Sequence, residues 1–236
     1  MLDKAHTEET ARTGGEKAYL RLREDIVSGA LAPGQKLKIE MLKDRYAMSV
    51  GPLREAMSRL TSEYLIEQSG QRGFFVAPLT ARDAREIGEL RLLVEIEALQ
   101  RSIPNGDTAW EEKVITTFFR LGQIETSDEA GPDTLARWEQ LNEAFHNALV
   151  SACDSGWVLR IRQGMFQHHE RYRRLSRIKT RFDRDIHAEH KALMTAALDR
   201  DVAEAERVIR IHIERTTEAV TNAIARRQAD DATADG

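Results

Sequence analysis

The sequence has a single cysteine, only five prolines, few aromatic residues and no strong excess of charge of either sign. A lone Cys153 excludes an internal disulfide, and without a metal-type partner spacing it reads as a small core residue on a helix. So few prolines leave little to interrupt helices. The longest apolar runs fall well short of the ~20 residues a membrane span requires. The N-terminal stretch MLDKAHTEETARTGGEK also lacks a hydrophobic signal core, so the chain is expected in the cytoplasm with no membrane partner. With 35 Lys and Arg against 39 Asp and Glu, the net charge of −4 alone speaks against a partner as acidic as DNA. The distribution is uneven, however: Glu16 to Pro78 holds 10 basic and 8 acidic residues, a mildly basic head on an acidic body.

What is present is mostly helical. In EKAYLRLREDIVS, Tyr19, Leu22 and Ile26 fall at helical spacing before Gly29, where a helix commonly stops. The turn APGQ leads to a second short helix, KIEMLKDRYA. A third follows in MSVGPLREAMSRL, with Ser49 placed to cap it, Pro52 in its first turn, and Leu53, Met57 and Leu60 as its apolar stripe. LIEQSGQRGFFVAP then reads as two short β-prone runs joined through Gly70 and Gly73. Three helices and a hairpin make a winged helix-turn-helix. Thr80 to Asp83 is a capping-box-like start for a long helix to about Arg101, and further helices are expected over roughly 107–125, 133–153, 157–180, 183–199 and 201–227. The fold class expected is therefore mainly α: residues 1–15 a flexible arm, 16–79 a winged helix-turn-helix, 80–228 an all-helical antiparallel bundle, and 229–236 a disordered tail.

A recognition helix presents short residues and arginines to the major groove. Ser49, Gly51 and Arg54 are placed for that role, with Arg59 further along near the backbone. Gln71, Arg72 and Gly73 lie at the hairpin tip, and Lys38 precedes the second helix as a phosphate contact. A solvated helix face is the alternative for each residue taken singly. The hairpin and the preceding two-helix unit favour double-stranded DNA, and one such head reads too few base pairs for useful specificity. A homodimer on a palindromic operator follows.

Histidines carry the other signal. Asn142 and His146 lie four apart, on one helix face. His190 lies ten residues before a tight turn near Arg200 and His212 twelve after it, so at ~1.5 Å per residue the two sit at the same level of an antiparallel pair. Three imidazoles and an amide oxygen meeting inside a bundle suit a divalent ion, zinc first and nickel or manganese after it. His168, His169 and His187 have no comparable spacing and are read as surface residues. The basic stretch RYRRLSRIKTR at 171–181 is read as a solvated face or a pocket rim.

LREDIVSGALAPGQKL, LREAMSRLTSEYLI and QRGFFVAPLT resemble the DNA-binding domain of GntR-family bacterial transcription regulators over residues 16 to 79. Where that family has Arg after the Ser and Thr before the Pro, this chain has Val50 and Gly51, which shifts readout toward Arg54 and the wing. Residues 83 to 228 resemble the all-helical FCD effector domain of the FadR branch. That resemblance implies a metal held at the Asn142, His146, His190 and His212 positions, with Asn142 standing where many members have Asp. It implies that the metal anchors a small carboxylate effector, with Arg91 in ELRLLVEIEAL as the second anchor, and it favours a repressor. VGPLREA together with Trp138 before AFH is similar to repressors of glutarate and related dicarboxylate catabolism. Two other functions stay open on the residues alone: a metal-dependent hydrolase, for which Glu143 or Glu189 would be the base, and a DNA-binding protein whose helical part only dimerises.

Overall fold

The computed structural model describes residues 13–127, 131–177 and 185–234. They divide into two compact units, residues 1–79 and 80–236.

In the first unit, α1 (Gly14–Val27), α2 (Ile39–Tyr46) and α3 (Val50–Ser62) pack with a small antiparallel sheet of β1 (Lys36–Leu37), β2 (Ile66–Ser69) and β3 (Gly73–Val76). Thr13 caps α1 by accepting the Glu16 backbone N–H at 3.1 Å. The turn between α2 and α3 passes through Ala47 in the left-handed region (φ 52°), which ends α2 abruptly and redirects the chain into α3. Leu22, Leu42, Leu53, Leu60, Ile66 and Val76 meet in one core, so the i, i+3, i+4 stripes of the helices and one face of the hairpin close on each other.

The hairpin is longer by one strand than the sequence suggests. β1 pairs with β3, Lys36 opposite Phe75 and Leu37 opposite Phe74, and the strand order is β1-β3-β2. The tip is a short 3-10 turn, Gly70–Arg72, and Gly73 has φ 96°, a conformation that an L side chain resists.

The second unit consists of α4 (Ala81–Asn105), α5 (Thr108–Glu125), α6 (Pro132–Leu149), α7 (Gly156–Arg177), α8 (Ile186–Leu198) and α9 (Val202–Ala234). Thr80 caps α4 through the Asp83 N–H, Asp107 caps α5 through Trp110 and Asp185 caps α8 through Ala188. Helix α4 is the spine, packed against both α7 and α9, while α5 packs on α6 and α8. At the α4–α9 crossing, a Cβ added to Gly88 would collide with Thr217, so that close approach depends on the missing side chain.

Three boundaries differ from the sequence reading. Helix α4 continues to Asn105, with Pro104 inside its last turn; the ring removes one i→i−4 hydrogen bond there, and the helix ends one residue later. Helix α6 stops at Leu149, so Cys153 is buried in a turn and not on a helix. Helix α9 carries on to Ala234 through the stretch expected to be an irregular tail, whose alanines favour helix. Most of the N-terminal arm lies outside the described residues.

Candidate functional site

On the first unit, Ser49, Gly51, Arg54 and Arg72 are exposed, and so is Lys38, the residue preceding α2. Ser49 occupies the N-cap of α3 but makes no capping bond, so its hydroxyl is not committed to the helix. Nothing lies within 4 Å of where a Cβ on Gly51 would stand, leaving the start of α3 open to close approach. Arg54 forms no ion pair among the described residues. Arg59 differs: it is bonded to Glu16 (3.1 Å) and Glu63 (3.3 Å) and stacks 3.5 Å from the Tyr19 ring centroid. It fastens α3 to α1 while its side chain stays 48% exposed. The Gln71 side chain lies outside the described residues.

On the second unit, α6 contributes His146, α8 His190 and α9 His212. Their ring centroids are 5.4 Å (146 to 190), 5.3 Å (146 to 212) and 4.9 Å (190 to 212) apart. One nitrogen from each falls within 4.8 Å of the others, and all three residues are buried. Two rings are oriented by carboxylates. His190 Nδ1 lies 2.8 Å from Glu125 Oε1 and His212 Nδ1 lies 2.9 Å from Glu189 Oε2. An ionised carboxylate only accepts, so in both rings Nδ1 carries the proton and Nε2 is the lone-pair nitrogen. Glu125 also accepts from Trp138 Nε1 (3.1 Å) and lies 3.2 Å from His187 Nδ1. Burial opposes its ionisation, but the hydrogen bonds from His190, His187 and Trp138 and the electrostatic pull of the His190 ring outweigh burial and hold the carboxyl below its ordinary pKa.

Burial, reinforced by His212, His190, Arg91 and Arg162, drives the His146 pKa well down, so its imidazole is neutral. That is the form that binds metal. His146 Nε2, His190 Nε2 and Asn142 Oδ1 are buried atoms without a hydrogen-bond partner. Unpaired buried acceptors are costly, and three imidazoles whose nitrogens lie within 4.8 Å of one another fit a divalent ion. Asn142, buried one turn before His146, fits as an oxygen donor without a charge.

Beside the histidines is a layer of buried charge. The Arg91, Arg162 and Arg173 guanidinium carbons lie 4.7, 5.5 and 4.8 Å from the Phe166 ring centroid, and that ring is 5.8 Å from His146. Glu95 bridges Arg91 (3.4 Å) and Arg162 (2.7 Å), while Glu139 holds Arg173 (2.9 Å). Arg91 Nη1 also meets His169 Nδ1 at 2.6 Å. Burial lowers the Arg91 pKa to about 9, with Glu95 opposing and Arg173 and Arg162 adding to the fall, so it stays protonated at neutral pH. Arg91 Nη2 and Arg162 Nη2 are buried donors without a partner.

Several expectations change here. His169 is fully buried and His187 is half-buried against Glu125; neither is a surface residue. Arg171 and Arg173 are buried, which contradicts a solvated face, and 178–181 of that stretch lie outside the described residues. Glu143 accepts from Gln163 (2.6 Å) and Glu189 supports a ring nitrogen, so neither stands as a base at the cluster. Arg162, Arg173, Glu95, Glu125 and Glu139 were missed. The i, i+4 spacing of Arg91 and Glu95, and the placing of Glu139 two turns before His146, were signals available in the sequence. For Glu125 there was none.

A winged head on an all-helical domain with a buried histidine cluster defines a DNA-binding transcription regulator. The chain belongs to the GntR family of bacterial regulatory proteins: residues 15–76 match that family's DNA-binding domain and residues 86–215 match the FCD domain. It is 42% identical over 206 residues to the HTH-type transcriptional regulator BphR of Paraburkholderia xenovorans, covering 87% of this chain and 84% of that protein. It is 34% identical over 199 residues to the HTH-type transcriptional repressor GlaR of Escherichia coli, covering 83% and 90%. The fold matches that of E. coli McbR/YncC (TM-score 0.73, 16% identity, 91% of this chain and 99% of that one). It also matches a GntR regulator from Rhodococcus (TM-score 0.71, 18% identity, 89% and 98%). These relatives are transcription regulators, so the hydrolase reading is set aside. Among the described residues, no helix is long and apolar enough to cross a membrane.

Proposed function

We propose that this regulator is a cytoplasmic homodimeric repressor whose grip on a palindromic operator is controlled by a small dicarboxylate bound at a metal site in the helical unit. The observation that carries the reading is the buried juxtaposition of His146, His190, His212 and Asn142 with three guanidinium groups around Phe166. Zinc suits the three nitrogens and one oxygen best, with nickel or manganese as alternatives. When bound, the ion supplies a Lewis-acidic anchor for a carboxylate oxygen. Everything else belongs to the chain: Glu125 and Glu189 fix the imidazole orientations, and Arg91 and Arg162 each offer an unpaired Nη2 donor to the far end of the ligand.

Two sets of donors set the number of carboxylates. The ion on the three imidazoles would take one end of the ligand, and the unpaired Nη2 donors of Arg91 and Arg162 would take the other, so an acid with a carboxylate at each end uses both. Ser49, Gly51, Arg54, Arg72, Gly73 and Lys38 form the reading surface. GlaR is named a repressor, which supports the same sense here. Because α4 begins directly after the head ends at Leu79, a ligand that draws Arg91 inward acts on the helix joined to the reading unit.

The test is a thermal-shift series on zinc-loaded protein with C4 to C6 dicarboxylates, matched monocarboxylates and sugars, followed by operator gel shifts with the best acid. Stabilisation by a dicarboxylate, with release of DNA, is the expected result. Stabilisation by monocarboxylates or sugars alone defeats the ligand assignment. Loss of zinc without any change in response removes the ion from the mechanism.

A further inference from the structure

The histidine cluster converges without an acidic oxygen. Among the described residues, the metal-type side chains whose ligand atoms come within 4.8 Å of one another there are three histidines, with no carboxylate among them. Asn142, buried one turn before His146, carries an amide oxygen where the isosteric aspartate would carry a charge. The carboxylates around the cluster are engaged elsewhere. Glu125 accepts from His190 Nδ1 (2.8 Å) and Trp138 Nε1 (3.1 Å), and Glu189 lies between His212 Nδ1 (2.9 Å) and Arg215 Nη1 (3.1 Å). Glu143, next to Asn142, accepts from Gln163 (2.6 Å), and Glu139 holds Arg173 (2.9 Å). Glu125 and Glu189 make two of the rings more basic, but they meet those rings at Nδ1 and are not ligands.

A divalent ion at this point is therefore surrounded by neutral donors at low dielectric. Its charge has no anion in contact with it, and burying a charge in that state is costly. Two guanidinium groups add to the cost. Arg91 and Arg162, which share Glu95 between them, lie 4.7 and 5.5 Å from the Phe166 ring centroid, and that ring is 5.8 Å from His146. The acid meets the opposite problem. Without the ion, one carboxylate can pair with the unpaired Nη2 donors of Arg91 and Arg162 while the other is buried with no cation. Each charge is the partner that the other lacks.

We propose that Asn142 makes the ion conditional on the acid: the neutral donor set holds zinc weakly by itself and tightly once a carboxylate completes it. This rests on the metal and dicarboxylate reading above. By linkage, the factor by which the acid tightens zinc equals the factor by which zinc tightens the acid. His146, His190 and His212 stand on α6, α8 and α9, and Arg91 and Arg162 on α4 and α7, so the pair together ties five helices. The regulator then answers to acid and ion in coincidence, and a swing in either one alone leaves the site mostly unfilled.

The experiment is zinc competition against a chromophoric chelator on the full-length protein, alone and with saturating succinate, glutarate or adipate. The zinc binding of each acid is measured without protein and subtracted. Titration calorimetry of the same acids into zinc-loaded and zinc-free protein gives the reciprocal factor. Wild-type protein is expected to bind zinc roughly 5–150-fold more tightly with the best of the three acids, and that acid is expected to gain equally from zinc. Asn142→Asp is expected to bind zinc alone at least about tenfold more tightly, the effect of one charge at close range, and to lose most of the coupling. Asn142→Ala removes the oxygen and adds no charge; it is expected to bind zinc more weakly and keep the coupling. Wild-type zinc affinity that is unchanged by an acid that does bind overturns the proposal and leaves the site reading standing. Full coupling in Asn142→Asp also overturns it. Should the buried carboxylate keep that variant from folding, Asn142→Ala decides, since zinc binding without coupling there overturns the proposal too. Wild-type protein that binds no zinc under any condition, or none of the three acids, defeats the site reading itself and this inference with it.

Discussion

The two units bury different things. Every buried polar or charged residue among those described lies in the helical unit, including Arg91, Glu95, Glu139, Arg162, Arg173 and the three histidines. The head buries only apolar and tyrosine side chains and keeps its cations on the outside. A reading head must hold one shape whatever else is bound, and apolar packing provides that without a partner. A sensor must be incomplete until its signal arrives. In the helical unit, several buried donors and acceptors lack partners, so the proposed ion and ligand would add stability there.

The sharpest way to break this contrast is at Glu95, a carboxylate shared by two buried guanidinium groups. Glu95→Ala is expected to cost about 3–5 kcal/mol, because it strands buried charge. Denaturant unfolding should show part of that loss recovered by added dicarboxylate. In the head, Leu53→Ala is expected to cost about 2–5 kcal/mol, read in the same experiment, and neither zinc nor acid should recover any of it. Recovery in both units, or in neither, would erase the distinction drawn here.

Smaller effects refine it. Glu125→Ala removes the acceptor that orients His190, and should weaken zinc binding 10–100-fold by competition with a chelator. Arg54→Ala should cost about 1–3 kcal/mol on the operator and little on random DNA if the guanidinium reads a base edge; equal loss on both would make it a phosphate contact.

The subtlest effect is acid sensitivity. His146 has a folded pKa held well below its unfolded value of ~6.5, so the folded chain resists a proton that the unfolded chain accepts. The stability linked to His146 is therefore complete above about pH 6.5 and is lost as pH falls from there toward the depressed folded pKa. Metal-free protein should show this in thermal melts, and His146→Gln should flatten the dependence.

How far the sequence reached follows the same divide. The head was legible because its information is local: apolar stripes, a proline in a first turn and glycines at a hairpin tip each dictate their own neighbourhood. What was lost there was β1, whose two residues become a strand only by pairing with β3. In the helical unit, His190 and His212 could be matched in level because two helices joined by a tight turn obey simple arithmetic. The burial of Arg162, Arg173 and His169 could not be read, since a charged residue on an amphipathic helix looks solvated until its partners arrive from other helices. Glu125 is the extreme case. It reaches His190 across 65 positions of chain, and nothing around it in the sequence marks it out.

The tryptophans record this division of labour. Trp138 donates its indole N–H to Glu125, the carboxylate that orients His190, whereas Trp157 stands in the open on α7 and Trp110 is sealed in the core against the Leu149 carbonyl. Their fluorescence therefore has separable origins: a change at the histidine cluster should register at Trp138, while a dissolved quencher should reach Trp157 first and Trp110 last. The chain thus carries its own optical reporter of that cluster, with no label attached.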